Sequence, residues 1–329
     1  MLACNLNFII KNIDYFILSF LITKFKSERQ DVKKKLLKFI LCLLSIFIVT
    51  ANQICIADCK IIVDKGTQTL WLLKNRKVIA QYPISLGMDS YSDKRQRGDC
   101  ATPEGAFYVT YKKPDAKFYL FIGISYPNKV DAWWAYRRGI IKFPEMIMIW
   151  RAIDIKAAPP SNTPLGGAIG IHGGGLYRQY GNKKIRDWTE GCIALNNSSI
   201  ANLYQYIRQG DQVLIYDSKK DFFSMMKPFA NPVKPSGSYD SKITFHTILG
   251  KIVLHLKQTP DYSRSLEILW LKNRQSPIVI YDKNADGYLG FQDKITGISN
   301  ISHKAEQSLY RHLRRVCIEA LKKGQLSTQ

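Results

Sequence analysis

Three short runs follow one another with only tight turns between them: IIVDK from Ile61, TLWLLKN from Thr69 and KVIAQYPISLG from Lys77. Each reads as a strand, and Asn75-Arg76 joins the second to the third, so the chain opens as a β-meander. Further strand-like segments are AFYVTYK (106–112), FYLFIGISYPN (118–128), AIGIHG (168–173) and DQVLIYD (211–217). Helical spacing is confined to Ser198–Gln209, with Ser or Asn as N-cap and Gly210 as the stop. Residues 129–158 commit to neither element. The expected fold is a mainly β domain over 58–217 with few short helices.

Beyond it, 218–240 reads as a linker, since FANPVKPSGSYD holds two prolines and a Gly-Ser pair. Residues 241–329 read as a small α+β domain of unassigned role. It contains KITFHTIL, KIVLHLK, an acidic loop and a helix over Ser302–Lys323, whose Leu309, Leu313, Val316, Ala320 and Leu321 keep helical spacing. At the other end, Lys33, Lys34, Lys35 and Lys38 precede the apolar run Phe39–Val49, the pattern of a secretory signal. Cys55-Ile56-Ala57 predicts cleavage after Ala57, with an uncleaved anchor as the alternative. The poorer apolar stretch 1–31 predicts a translation start near Val32.

The formal net charge of +22 attracts polyanions, yet no nucleic-acid-binding signature accompanies it, and acidic lipid or a carboxylate-rich cell wall fits as well. Nucleic acid is therefore not expected as a partner, and a membrane is expected only through the signal or anchor. Export leaves Cys59, Cys100, Cys192 and Cys317, too few and too scattered for a disulfide scaffold or a CxxC zinc site.

Between Ile61 and Tyr216 there is one histidine, His172, and two cysteines, Cys100 and Cys192. A thiol becomes a nucleophile when an imidazole takes its proton. His172 sits in IHGGG and Cys192 in DWTEGCIALN, where glycines allow close backbone approach to a substrate. The pair points to acyl transfer. Cys100 is the rival thiol, either exposed or paired with Cys59. Trp188, four residues before Cys192, is a candidate for substrate contact, as are Gly173 and Asn196.

The ordered motifs VDKGTQTLWLL, Gly98-Asp99 with Thr102-Pro103-Glu104-Gly105, and Ile171-His172-Gly173 followed after fifteen residues by Thr189-x-Gly191-Cys192 resemble the L,D-transpeptidase (YkuD-type) family. SYPN, PPSNTPLGG and DWTEGCIAL are most similar to its YafK-like subgroup of Gram-negative bacteria. The resemblance implies a periplasmic enzyme acting on peptidoglycan stem peptides at diaminopimelate. Cys192 would be nucleophile, His172 base, Thr189 a nearby hydroxyl, and the N–H groups of Gly191 and Cys192 part of an oxyanion hole. No cofactor is implied for catalysis. Transfer to an amine and hydrolysis, the latter releasing D-Ala or a wall-linked lipoprotein, both remain open, with a non-catalytic peptidoglycan-binding module as the alternative from another class. Glu190 and Ala194 depart from the histidine and arginine that many members carry there.

One further motif stands apart. Asp282, Asn284, Asp286, Tyr288 and Asp293 fall at the spacing of a calcium loop, with Gly287 at its sixth position. A structural calcium and a metal-free Asx-rich hairpin turn are the two expectations.

Overall fold

The computed structural model describes residues 59–328 except 116, 231–238, 260, 262, 272–275, 291, 299–300 and 324. The expected signal, its cleavage site and the middle of the expected linker lie outside the described residues.

In chain order the first region holds β1 (Cys59–Asp64), β2 (Thr69–Lys74), β3 (Lys77–Pro83), β4 (Gly105–Asp115) and β5 (Tyr119–Ile124). Then come α1 (Lys129–Arg137), α2 (Phe143–Asp154), β6 (Gly170–His172), β7 (Tyr177–Tyr180), β8 (Lys183–Arg186), β9 (Ile193–Ala194), α3 (Asn197–Tyr206) and β10 (Gln212–Tyr216). Eight of the strands form one curled sheet in the order β3-β2-β1-β10-β4-β5-β6-β9, while β7 and β8 form a separate hairpin. The fold is mainly β, with few short helices.

The two parallel central strands explain the architecture. β1 and β10 are apolar on both faces, so alternation sends Ile61, Val63, Val213 and Ile215 into one core and Ile62, Leu214 and Tyr216 into another. The first core lies against β4, β5, β6 and α3 through Phe107, Ile122, Ile171, Leu203 and their neighbours. The second continues through Trp133 of α1 and Met146 of α2.

That second core does not end with the first region. The chain goes on through α4 (Phe222–Met226), a 3-10 turn, β11 (Tyr239–Thr247), β12 (Gly250–Gln258), β13 (Arg264–Leu271), β14 (Ile278–Asp282), β15 (Lys294–Thr296), α5 (His303–Lys322) and β16 (Leu326–Thr328). The six strands make an antiparallel sheet, β15-β14-β13-β12-β11-β16. On β12 and β13, Ile252, Leu254, Leu256, Leu266, Ile268 and Trp270 are buried at every second position, so the sheet has one dry face. Tyr310, Leu313 and Cys317 of α5 belong to the same cluster as Ile62 and Trp133. Residues 222–229, inside the stretch expected to link, are therefore packed: Phe222, Phe223, Met225, Met226 and Phe229 are buried there. Composition at Phe229–Asp240 signalled a linker, but the apolar outer face of β1 and β10 needs a cover.

Two local outcomes follow from capping. Residues 129–158 become α1 and α2, and Asn128 starts α1 with its side chain accepting from Val130 N (2.8 Å) and Asp131 N (2.9 Å) while Asp131 returns a bond to Asn128 N. The helix expected over 198–209 stops at Tyr206, because Ile207 turns extended to enter the core fully buried.

Candidate active site

Short strands place both reactive groups. β6 pairs antiparallel with β5 and parallel with β9, in the registers Phe121↔His172, Ile171↔Ile193 and His172↔Ala194. Ile171 and Ile193 point into the core, so His172 and Ala194 point to the opposite face, and Cys192, one residue before Ile193, shares that face with His172. Strand rise and spacing put their Cα atoms about 8 Å apart, a gap that the two side chains can span. Tyr111, stacked on Phe121 at 5.8 Å, has its hydroxyl pushed up first by burial and then by the charge at Cys192, which marks the same face.

His172 sits in an aromatic cage and is 1% exposed. Phe118 stacks on its ring at 4.2 Å between centroids, with Trp188 at 5.7 Å and Phe121 at 6.1 Å. Burial pushes the imidazole pKa below its usual range; the Gly173 carbonyl opposes this and Arg178 adds to it. His172 Nδ1 lies 2.6 Å from the Gly173 carbonyl oxygen. A carbonyl only accepts, so Nδ1 carries the hydrogen and Nε2 is left as the basic nitrogen. Trp188 is itself held, its Nε1 donating to Gly175 O at 3.2 Å, and Arg178 covers its ring at 4.0 Å.

Cys192 is half-buried and opens into a cleft of 390 Å³ lined by Lys94, Arg97, Glu190 and the Gly166–Ile169 loop. Its Sγ donates to Ala168 O at 3.8 Å rather than to the imidazole. Burial pushes the thiol up to about 11, with a backbone hydrogen bond from Gly170 and the charge of Lys94 pulling down and Glu190 pushing up. Burial thus favours the neutral thiol and the neutral imidazole in the resting site.

The turn before Cys192 is braced from the far side. Residues 85–88 pair with it through Ala194 N to Ser85 O (2.8 Å), Ser85 N to Ala194 O (2.9 Å) and Met88 N to Thr189 O (2.9 Å). Thr102 of the Thr-Pro-Glu-Gly block accepts from Gly87 N at 2.9 Å. Lys65, fully buried, donates to Ser92 O, Thr102 O and Glu104 Oε1 at 2.6, 2.9 and 2.8 Å, pinning this loop to β1. The three sequence motifs are therefore one mechanical unit.

The other candidates land unevenly. Thr189 Oγ1 donates to Cys192 O (2.6 Å) and accepts from Gly191 N (3.2 Å), so it closes the turn. The hydroxyl thus lies beside Cys192, engaged with the backbone, and the Gly191 N–H points to it. Gly191 has φ +124°, and a Cβ there would lie 2.5 Å from Ala101 O, so glycine is required. Gly173 has no room for a side chain, with Asn197 Oδ1 and Phe118 O each 2.6 Å from a built Cβ. Asn196 is exposed at the start of α3; its neighbour Asn197 instead accepts from Gly174 N at 2.8 Å and lines a second hollow with Phe118. Ala194 is fully buried. Cys59 and Cys100 do not pair in a disulfide: Cys59 lies in the core and Cys100 donates to Gly98 O at 3.6 Å. Sequence reasoning missed Phe118, Lys94 and Arg97, because only tertiary pairing brings their loops to the site.

Between β14 and β15 the Asp286 and Asp293 carboxylates are engaged locally, whereas Asp282 keeps Oδ1 buried without a hydrogen-bond partner among the described residues. Asp293 accepts from Lys283 N (2.7 Å) and Gly290 N (2.5 Å), Asp286 from Tyr288 N (2.8 Å) and Asn284 Nδ2 (2.7 Å), and Asp282 from Tyr310 (2.9 Å). Among the described residues no group of three His, Cys, Asp or Glu is placed to hold a metal ion.

Comparison with known proteins gives this geometry a family. Residues 59–215 match the family model described as YkuD, the L,D-transpeptidase catalytic domain. Over these residues the chain is similar to the YkuD L,D-transpeptidase catalytic domain. YqjB of Bacillus subtilis (strain 168), a candidate L,D-transpeptidase, is 28% identical over 167 residues, 50% of this chain and 75% of that protein. Among solved structures, the catalytic domain of an E. faecium L,D-transpeptidase is 19% identical, covering 49% of this chain and 98% of that one with a TM-score of 0.29. An L,D-transpeptidase from Mycobacterium smegmatis is 14% identical, covering 48% and 58%, also at 0.29. The chain spans about half the length of the first solved chains it matches.

Proposed function

We propose that the YkuD domain is an exported peptidoglycan enzyme that forms a thioester on Cys192 with a stem peptide at the L-centre of diaminopimelate. The observation that carries this is the placement of Cys192 on one sheet face with His172, whose Nδ1 is locked as donor. His172 Nε2 takes the thiol proton as sulfur bonds to the carbonyl carbon, and the electron pair of the C=O moves to oxygen. The oxyanion collapses, the C–N bond breaks, and imidazolium returns its proton to the leaving amine. An amine then resolves the thioester in transfer, or water does so in hydrolysis. Neutral resting groups suit this order, because the proton moves only when a carbonyl is present to receive the sulfur. The basic and apolar run at 33–49 supports export. The SYPN and DWTEGCIAL segments support a YafK-like place in the family, where release of a wall-linked lipoprotein would be the hydrolytic outcome.

The test is mass spectrometry of products from isolated sacculi treated with wild type or Cys192→Ala. New diaminopimelate–diaminopimelate cross-links with wild type alone establish transfer. Released D-Ala or released protein without new cross-links establishes hydrolysis. Identical profiles sink the enzyme reading and favour a binding module.

A further inference from the structure

Two opposite charges share the Cys192 cleft without neutralising each other. Arg97 and Glu190 both line it and both are exposed, and among the described residues neither forms an ion pair. Arg97 is nonetheless fixed: its Nη2 donates to Ser161 O at 2.7 Å and Thr163 O at 3.5 Å, and its backbone N–H to Pro164 O at 2.9 Å. Those acceptors are neutral carbonyls, so the guanidinium keeps its charge and its remaining N–H groups. Glu190 is anchored by position, two residues before the nucleophile in the braced turn. Deeper in the cleft, Lys94 is spoken for by Asp99 at 2.6 Å, its side chain 3% exposed. Ala194, on the same face as His172, is fully buried and adds no charge to the cleft.

A cleft with a fixed cation and a fixed anion beside a reactive thiol is complementary to a zwitterion. We infer that Arg97 and Glu190 recognise a free α-amino-acid end on the acyl donor, the carboxylate on Arg97 and the ammonium on Glu190. This rests on the acyl-transfer reading above, under which the donor is diaminopimelate, whose side chain ends in such a group. The two residues are specificity determinants; they take no part in bond making.

Three synthetic stem tetrapeptides test it, alike except at the third residue: diaminopimelate, diaminopimelate N-acetylated at the D-centre, and lysine, which keeps the ammonium and lacks the carboxylate. Acylation of Cys192 is followed by intact mass, and kcat/KM is measured for each. Wild type should prefer the diaminopimelate donor over each of the others by about ten- to a hundredfold, the span expected for hydrogen bonds to charged groups. Arg97→Gln should collapse the preference over lysine toward one, chiefly by raising KM for the diaminopimelate peptide. Arg97→Lys, which keeps the charge and loses the fork, should give an intermediate ratio. Glu190→Gln should collapse the preference over the acetylated donor while leaving that over lysine in place. Equal use of all three donors by wild type would overturn the inference and leave the acyl-transfer reading standing. A ratio that survives Arg97→Gln while both rates fall together would reduce Arg97 to a loop clip, and overturn it too. Acylation by none of the three would sink both readings.

Discussion

The two sides of the candidate site are built from opposite materials. His172 is dry, stacked among Phe118, Phe121 and Trp188, and oriented by one carbonyl. Cys192 faces a cleft of charged side chains and a glycine-rich loop. The difference assigns the tuning. The base is held neutral by exclusion of water, whereas the thiol is governed by burial, aided by Glu190, against the Gly170 N–H and Lys94. A Cys/His couple made this way waits in its uncharged form.

The largest expected break in that contrast is Phe118→Ala. Opening the cage lets water reach the imidazole and relieves the burial that lowers its pKa, so the acid limb of kcat/KM should move to higher pH. Activity would fall severalfold more at pH 5.5 than at pH 7.5, with a stability loss of about 1–2 kcal/mol. An acid limb that stays in place would show that the cage does not set the base. On the other side, Lys94→Met removes a cation that favours the thiolate. The wild-type alkylation profile of Cys192 with iodoacetamide should rise toward about 11, and the variant's should lie further alkaline, severalfold slower at pH 9. The Asp99 carboxylate, left without its ammonium but still bonded to Arg95, Gln96 and Ala101 N–H groups, should keep the loop folded.

A smaller effect sharpens the picture of the charged loop itself. Burial and the neighbouring Glu104 push Asp93 up to about 6. A carboxyl raised above its unfolded value favours the fold only while protonated, so this contribution is present at low pH and fades as pH rises from about 4 through about 6. Asp93→Asn, which keeps an acceptor for Glu104 N (2.8 Å), should therefore raise the melting temperature at pH 8 and not at pH 4, by about 1 kcal/mol in stability. The smallest expected effect lies far from the site. Millimolar calcium should leave the melting temperature unchanged, because the N–H groups of the 282–293 loop already occupy the Asp286 and Asp293 carboxylates. A rise of several degrees would restore the calcium-loop reading.

Much of this was legible from local pattern. Period-2 runs located β1, β2, β3, β4 and β10, and the His172 and Cys192 motifs lie where β6 and β9 meet. The α5 helix runs from its Ser302 cap to Lys323 as the spacing predicts. Other features were hidden by their nature. The Asn128–Asp131 capping box was present in the sequence, but the stretch after it is broken at Arg138–Lys142, so neither short helix carries a long periodic run. Phe118 is a strand-edge aromatic like many others until its ring lands 4.2 Å from His172. Thr189 reads as a hydroxyl near the pair, and only the fold shows that it bonds the Cys192 carbonyl.

The sequence by itself determined the strands and the family resemblance and singled out His172 and Cys192, because those depend on periodicity and on motifs a few residues long. Only the tertiary structure decided their chemical state. Whether the thiol is charged, which histidine nitrogen is basic and which cation faces the substrate all depend on burial and on loops up to a hundred residues apart in the chain, such as Leu86 and Asp187 joined at 2.9 Å. The electrostatics of a site are set by what surrounds it in space, and local sequence carries no record of that.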